Sequence, residues 1–195
     1  AVELAPLDAE GWMWRGYVDL DRSAHARSTG GDPADLARSA EASLTRALEL
    51  NPSLAEAVMY RGMVRRNRVA DQWRSGRNPA DTCRDAAADF DRALELNPAL
   101  ARALLGRASL RMAAAPWRMS LGADPRALFD ETVADLDKAI EVQPDLAEAW
   151  CARGTVRGQF GATVGQSGGD GSRGRRSGGA GPCLLAQGRR ALAQR

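Results

Sequence analysis

The sequence predicts an all-α chain, a solenoid of antiparallel helix pairs, and three observations lead there. Pro6, Pro52, Pro98 and Pro144 fall 46 residues apart, and Arg15, Arg61, Arg107 and Arg153 keep the same step. A second proline series, Pro33, Pro79 and Pro125, repeats the interval, with Gly30, Gly76, Gly122 and Gly168 just ahead of it. Between these marks, apolar residues recur at helical spacing. Self-similarity at a fixed period marks a tandem array whose units bury their apolar sides against one another. The expected division is residues 1–6, ending a helix of a preceding unit; 7–52, 53–98 and 99–144, three full units; 145–160, the first helix of a fourth; and 161–195, a Gly/Arg-rich tail expected to be disordered.

Each unit reads as two helices. The first follows the leading proline, in "LDAEGWMWRGYVDLD", "SLAEAVMYRGMVRRN", "ALARALLGRASLRMA" and "DLAEAWCARGTVRGQ". Proline suits a first helical turn, where its missing N–H would have had no partner. Val58, Met59 and Met63, then Leu104, Leu105 and Ala108, mark the apolar side. The second helix opens on an Asp/Asn-Pro pair, so Asp32, Asn78 and Asp124 are the expected N-caps with proline as the first helical residue. Its stripe is Ala40, Leu44, Ala47 and Leu48, matched by Ala86, Phe90, Ala93 and Leu94. The next proline closes it, because the residue before a proline is pushed out of the α region.

A bulky residue, a small one four on, then Ala-x3-large-x2-Ala and a terminal Pro resembles the tetratricopeptide repeat (TPR). "AEAWCARG" resembles the start of that motif, with Trp150 and Gly154 in matching places; "AAADFDRALELNP" resembles its second half, with Ala86, Phe90, Ala93 and Pro98. The resemblance covers residues 1–160. It implies a right-handed superhelix whose first helices line a concave groove holding a peptide or a partner helix. Carried over residue by residue, the groove-facing candidates are Met13, Tyr17, Met59, Met63, Leu105, Ser109, Cys151 and Thr155, with Arg66 and Asn67 one turn further along. Methionine suits an adaptable binding face, and it equally fills a plain core stripe. The Lys and Asn ladders with which the family grips a terminal carboxylate are absent at these positions, so a chaperone C-terminus is not the expected ligand. Two departures stand out. The family unit is about 34 residues; here the extra dozen is expected between the helices, at "RSAHARSTGG", "RVADQWRSGR" and "PWRMSLGA". The family's Leu before the small residue is Arg in all four units, and its aromatic three residues after it is Asp19, Arg65, Arg111 or Arg157.

Composition agrees with a helical chain. Aromatic residues make up 5% of it, and no stretch approaches the roughly 18 apolar residues of a membrane span. The net charge is +2, but residues 161–195 hold six Arg, one Asp and ten Gly, a net of +5 that leaves residues 1–160 at −3. Such a tail cannot bury apolar area. The register persists to Gly168-Gly169-Asp170, mirroring Gly30-Gly31-Asp32, and then fails as Gly171 replaces the proline. A natural low-complexity tail and a reading-frame slip both account for that. Three scattered cysteines, Cys83, Cys151 and Cys183, form no disulfide framework, so a reducing, cytoplasmic setting is the default expectation. Cys83 stands where sister units have Ala37 and Phe129 and reads as a core residue. "AVELAP" matches the second-helix endings "ALELNP" and "AIEVQP", which points to a further unit or domain upstream.

No catalytic residue, cofactor or metal ligand is expected. His25 is the one histidine and sits in the first insertion. Gly169-x-Gly171-x-x-Gly174 spells a dinucleotide fingerprint without the flanking strand and helix that would give it meaning. The arginine ladder has two readings: guanidinium groups set out for an acidic partner, or stems packed between helices with heads paired to Asp89, Asp91, Asp135 and Asp137. The matching slots of the first unit are Ser43 and Thr45. The insertions carry Trp73 and Trp117 with Arg74, Arg77 and Arg118, either an exposed hot spot or rings folded back over lengthened helix ends.

These features lead first to a non-catalytic protein–protein interaction scaffold. Alternatively, because similar arrays are attached to bacterial-type serine/threonine kinases, the chain is a docking segment of a larger signalling enzyme whose catalytic domain lies upstream. Nucleic-acid binding through the tail is the minor alternative, since six arginines without interleaved aromatics give weak, salt-sensitive attraction. The uncapped helix at 145–160, with Trp150 on its apolar side and only Leu184, Leu185 and Leu192 to cover it, suggests self-association.

Overall fold

The computed structural model describes residues 8–166. Its helices are α1 (Ala9–Ser28), α2 (Ala34–Leu50), α3 (Ala55–Arg74), α4 (Ala80–Leu96), α5 (Ala101–Ser120), α6 (Pro125–Val142) and α7 (Ala147–Gln166). No strand occurs among the described residues. The odd-numbered helices start at Ala9, Ala55, Ala101 and Ala147, a constant step of 46. Residues 1–6 and most of the Gly/Arg tail lie outside the described residues. The expected boundary at 160 is too early, because α7 continues to Gln166 and so matches the 20-residue length of α1, α3 and α5.

Helices pair in antiparallel fashion. Along α1 and α2, Gly16 faces Leu44, Ser39 Oγ donates to Asp19 Oδ2 at 2.6 Å, and Ser23 Oγ donates to the Pro33 carbonyl at 3.4 Å. Much of the extra dozen residues of each unit is not loop, as the sequence suggested, but about two further turns on the first helix, which ends at Ser28, Arg74 and Ser120. They stay helical until a glycine ends them. Gly30, Gly76 and Gly122 have φ of 78°, 71° and 86°, and the next N–H of Gly31, Arg77 and Ala123 returns to the carbonyls of Ala26, Gln72 and Arg118 at 2.8, 2.8 and 3.0 Å. This is a Schellman closure, which needs a left-handed residue that glycine supplies without Cβ strain. Of the expected second-helix starts, only α6 begins on its proline after an Asp124 cap; α2 and α4 begin one residue after Pro33 and Pro79, though the same side-chain bond recurs in all three. Asp32, Asn78 and Asp124 Oδ1 accept from the N–H groups of Ala34, Ala80 and Arg126 at 2.9, 3.0 and 2.9 Å.

The leading prolines fall outside the first helical turns in which the sequence placed them. Pro52, Pro98 and Pro144 stand in the turn between pairs, and α3, α5 and α7 begin three residues later. The turn itself explains the delay. Asn51 and Asn97 Oδ1 accept from Ser53 and Ala99 N–H, both at 3.1 Å, and the N–H groups of Leu54, Leu100 and Leu146 return to the carbonyls of residues 51, 97 and 143. Only after that closure can the helix restart.

The core lies between the helices of a pair and between successive pairs. Leu44, Phe90 and Leu136 of the second helices are fully buried. Each meets a small residue on the first helix of its own pair: a Cβ added at Gly16 would lie 2.5 Å from Leu44 Cγ, one at Gly62 would lie 3.2 Å from the Phe90 ring, and Ala108 packs with Leu136. Phe90 is also closed from the far side, where a Cβ at Gly106 would come within 2.4 Å of Cε1. Apolar burial of this kind contributes about 1.5–3 kcal/mol per large side chain. Odd-numbered helices touch one another in sequence, whereas α2, α4 and α6 touch only odd-numbered ones. The first helices thus form one continuous row, and the second helices stand apart from one another beside it.

Candidate functional site

The inner face is the side on which α1, α3, α5 and α7 lie against each other. Tyr17, Met63, Ser109 and Thr155 occupy equivalent places along it. The first three are partly buried and Thr155 is exposed. Thr155 Oγ1 donates to the carbonyl of Cys151, itself exposed, at 2.9 Å. Arg66 and Asn67 lie one turn on, partly buried.

Two of the expected groove residues are core instead. Met13 is 7% exposed and Met59 1%, and both belong to the main apolar cluster with Leu44 and Phe90. Leu105, partly buried, packs against the clusters built on Ile140 and Leu136. The close approach of successive first helices turns this earlier position into the seam between them. The next ladder along, Tyr17, Met63, Ser109 and Thr155, keeps more of its surface exposed.

At the N-terminal end an aromatic group spans α1 and α3. Tyr17 and Tyr60 have ring centroids 4.9 Å apart, and Trp14 meets Tyr17 edge-on at 5.9 Å. Trp14 is 54% exposed, while its counterpart Tyr60 is buried. Burial pushes the Tyr60 hydroxyl above the ordinary tyrosine value, and Tyr17 adds to the effect. At the other end Trp150, 46% exposed, donates from Nε1 to the Pro144 carbonyl at 2.9 Å under the Arg153 guanidinium. Of the insertion tryptophans, Trp117 folds back onto the core and Trp73 stays 37% exposed. Cys83 packs partly buried on the same core, and burial raises its thiol pKa; a thiol so placed is a poor nucleophile.

The arginine ladder pairs with the carboxylates expected from sequence. Arg61 reaches Asp89 at 2.7 Å, Arg107 reaches Asp135 at 2.6 Å and Asp91 at 2.7 Å, and Arg153 reaches Asp137 at 2.6 Å. Arg65 joins Asp89 at 2.8 Å and Glu41 at 2.9 Å, and Arg111 joins Asp135 and Glu131. Arg107 and Arg65 thus each bridge two second helices that do not touch. The first pair differs. Arg15, with Ser43 in the acidic slot, lies exposed over Trp12 at 5.4 Å, and Asp19 replaces the second arginine. At the Arg107–Asp91 junction an open cleft of about 480 Å³ lies between α4 and α6, lined also by Leu94, Glu95, Leu104 and Lys138. Among the described residues no group of His, Cys, Asp and Glu is placed to hold a metal ion, and no helix is long and apolar enough to cross a membrane.

No family model and no curated protein matches the chain. Among solved structures it is similar to the Arabidopsis OM64 TPR domain, with 17% identity, 76% of this chain and 98% of that one covered, and a TM-score of 0.49. It is also similar to the first TPR of Spaghetti (RPAP3) bound to HSP90 peptide SRMEEVD, with 14% identity, 83% and 99% covered, and a TM-score of 0.48.

Sequence reasoning did not find Gly106 or Arg27. The slot of Gly106 holds Trp14 and Tyr60 in the sister units, so the repeat gave no signal for a close approach there. Arg27 lies in the insertion, and only the helical extension of α1 carries it beside α3.

Proposed function

We propose that the chain is a non-catalytic protein–protein interaction scaffold of the tetratricopeptide kind. Its units run over 7–52, 53–98 and 99–144, followed by the first helix of a fourth, and a peptide or helix lies along the inner face. The observation that supports this most is the close-packed row of first helices, which presents Tyr17, Met63, Ser109 and Thr155 at one register on a face the second helices leave open. Concave, preformed surfaces with a few polar groups are the usual sites of recognition. A peptide library selected on the full chain tests the reading. Met63→Glu should weaken the selected peptides by roughly tenfold or more, the cost of placing a charge in a desolvated contact, without altering the circular dichroism spectrum. Selected peptides that bind Met63→Glu and Tyr17→Ala as tightly as the parent chain would place the site elsewhere.

A further inference from the structure

Arg61, Arg107 and Arg153 are each paired with a carboxylate on a second helix. Arg66, on α3, meets no carboxylate among the described residues. Its Nε and Nη2 donate at 3.2 and 2.7 Å to a single oxygen, Oδ1 of the adjacent Asn67. Among the described residues, burial and then Arg27, of like sign, lower its pKa. Arg27 itself reaches across from α1. Its Nη1 contacts Asp71 at 2.9 Å and the Asn67 carbonyl at 3.3 Å, while its Nε is buried without any partner. Asp71 does not balance the cluster, because Arg27 shares it with Arg74, whose Nη1 reaches Oδ1 at 2.9 Å. Arg66 therefore has no carboxylate of its own, beside two guanidinium groups that share Asp71, and the buried Arg27 Nε–H has nothing to donate to.

A partly buried guanidinium without a counter-charge is costly, and proteins otherwise pair such groups. Arg66 sits one turn beyond Met63, on the inner face. Two guanidinium forks from neighbouring helices match the two oxygens of a carboxylate or the three of a phosphoryl group. Resting on the groove reading above, we infer that Arg27 and Arg66, with the Asn67 amide beside them, form an acceptor for one acidic group of the bound peptide. The oxyanion is supplied by a glutamate or aspartate side chain or by a phosphorylated residue. On binding it replaces the Asn67 oxygen as the partner of Arg66 and takes up the idle Nε–H of Arg27.

The test uses the full chain labelled with ¹⁵N, observed through its arginine Nε–H signals. The probes are a blocked tetraglutamate peptide, a blocked peptide containing a single phosphoserine, and a blocked tetraglutamine control. The signals of Arg27 and Arg66 should move with one or both acidic peptides and stay still with the control; which acidic peptide moves them tells carboxylate from phosphoryl. Arg66→Gln should weaken that binding roughly tenfold or more. Its Tm should equal or exceed that of the parent chain, because the substitution removes an uncompensated charge. A clear drop in Tm for Arg66→Gln would make the residue structural and overturn the acceptor, as would unchanged affinity. If the arginine signals ignore both acidic peptides while library-selected peptides still bind, the groove stands without the acceptor. A chain that binds neither has lost both readings.

Discussion

Arg107 on α5 and Asp135 on α6 form a two-point ion pair, Nε to Oδ2 at 2.9 Å and Nη2 to Oδ1 at 2.6 Å. The same guanidinium reaches back to Asp91 on α4 at 2.7 Å. The hydrogen bonds from Arg107 to Asp135 and then to Asp91 outweigh its burial and push its pKa well above the ordinary arginine value. Its side chain meanwhile forms part of the wall of the open cleft between α4 and α6, with Leu104. Arg107→Leu should keep an apolar side chain in that wall and fold normally, whereas Arg107→Glu sets a third carboxylate against two and should cost about 3 kcal/mol or more. Thermal denaturation separates the two; equal Tm values would reject the bridging role.

Gly106 is a second point of control. Gly→Ala inside a helix ordinarily gains about 1 kcal/mol, but here the new methyl would meet the buried Phe90 ring at 2.4 Å. Overpacking of that kind costs about 1–3 kcal/mol, so Gly106→Ala should be neutral to destabilising. Gly158→Ala, with nothing within 4 Å of the added atom, should stabilise. A chemical-denaturation series on both, in which Gly106→Ala came out the more stable, would refute the close approach.

The left-handed closures give a third expectation. Gly76→Ala forces a Cβ onto a residue with φ of 71° and should lose about 1 kcal/mol. Gly76→Asn should lose less, because asparagine tolerates that region. Equal losses, measured by urea unfolding, would show that the closure is not what sets the cost.

Acid stability rests partly on Glu41. Burial raises its pKa, but hydrogen bonds from Arg65 and then Arg68 outweigh burial and hold it below 4.5. A carboxylate with a depressed folded-state pKa contributes stability that is present above the unfolded value and lost as pH falls through the folded one. Glu41→Gln should therefore cost about 1 kcal/mol at neutral pH and show a shallower loss than the parent below about pH 4.5. Parallel acid limbs for the two proteins would contradict this.

Legibility followed periodicity. The 46-residue step set every helix pair, and the Asp89, Asp91, Asp135 and Asp137 partners of the arginines could be named because they recur with it. Features absent from the repeat stayed hidden. Gly106 and Arg27 have no like residue in the sister slots, and the helical state of the insertions depended on glycines whose closing role appears only as a positive φ. Met13 and Met59 illustrate another limit. A methionine stripe on one helix face is the same in sequence whether it meets a ligand or a neighbouring helix; only the close approach of α1, α3 and α5 decides.

Because α2, α4 and α6 make no direct contact with one another, arginine–carboxylate bridges span the gaps between them alongside the shared apolar core. Added salt shortens the Debye length to about 3 Å at 1 M and slackens the more exposed links, such as Arg107 to Asp91, before the buried ones. The spacing of the second helices should therefore widen as ionic strength rises, readable as a growing radius of gyration in small-angle scattering while the helical content holds constant.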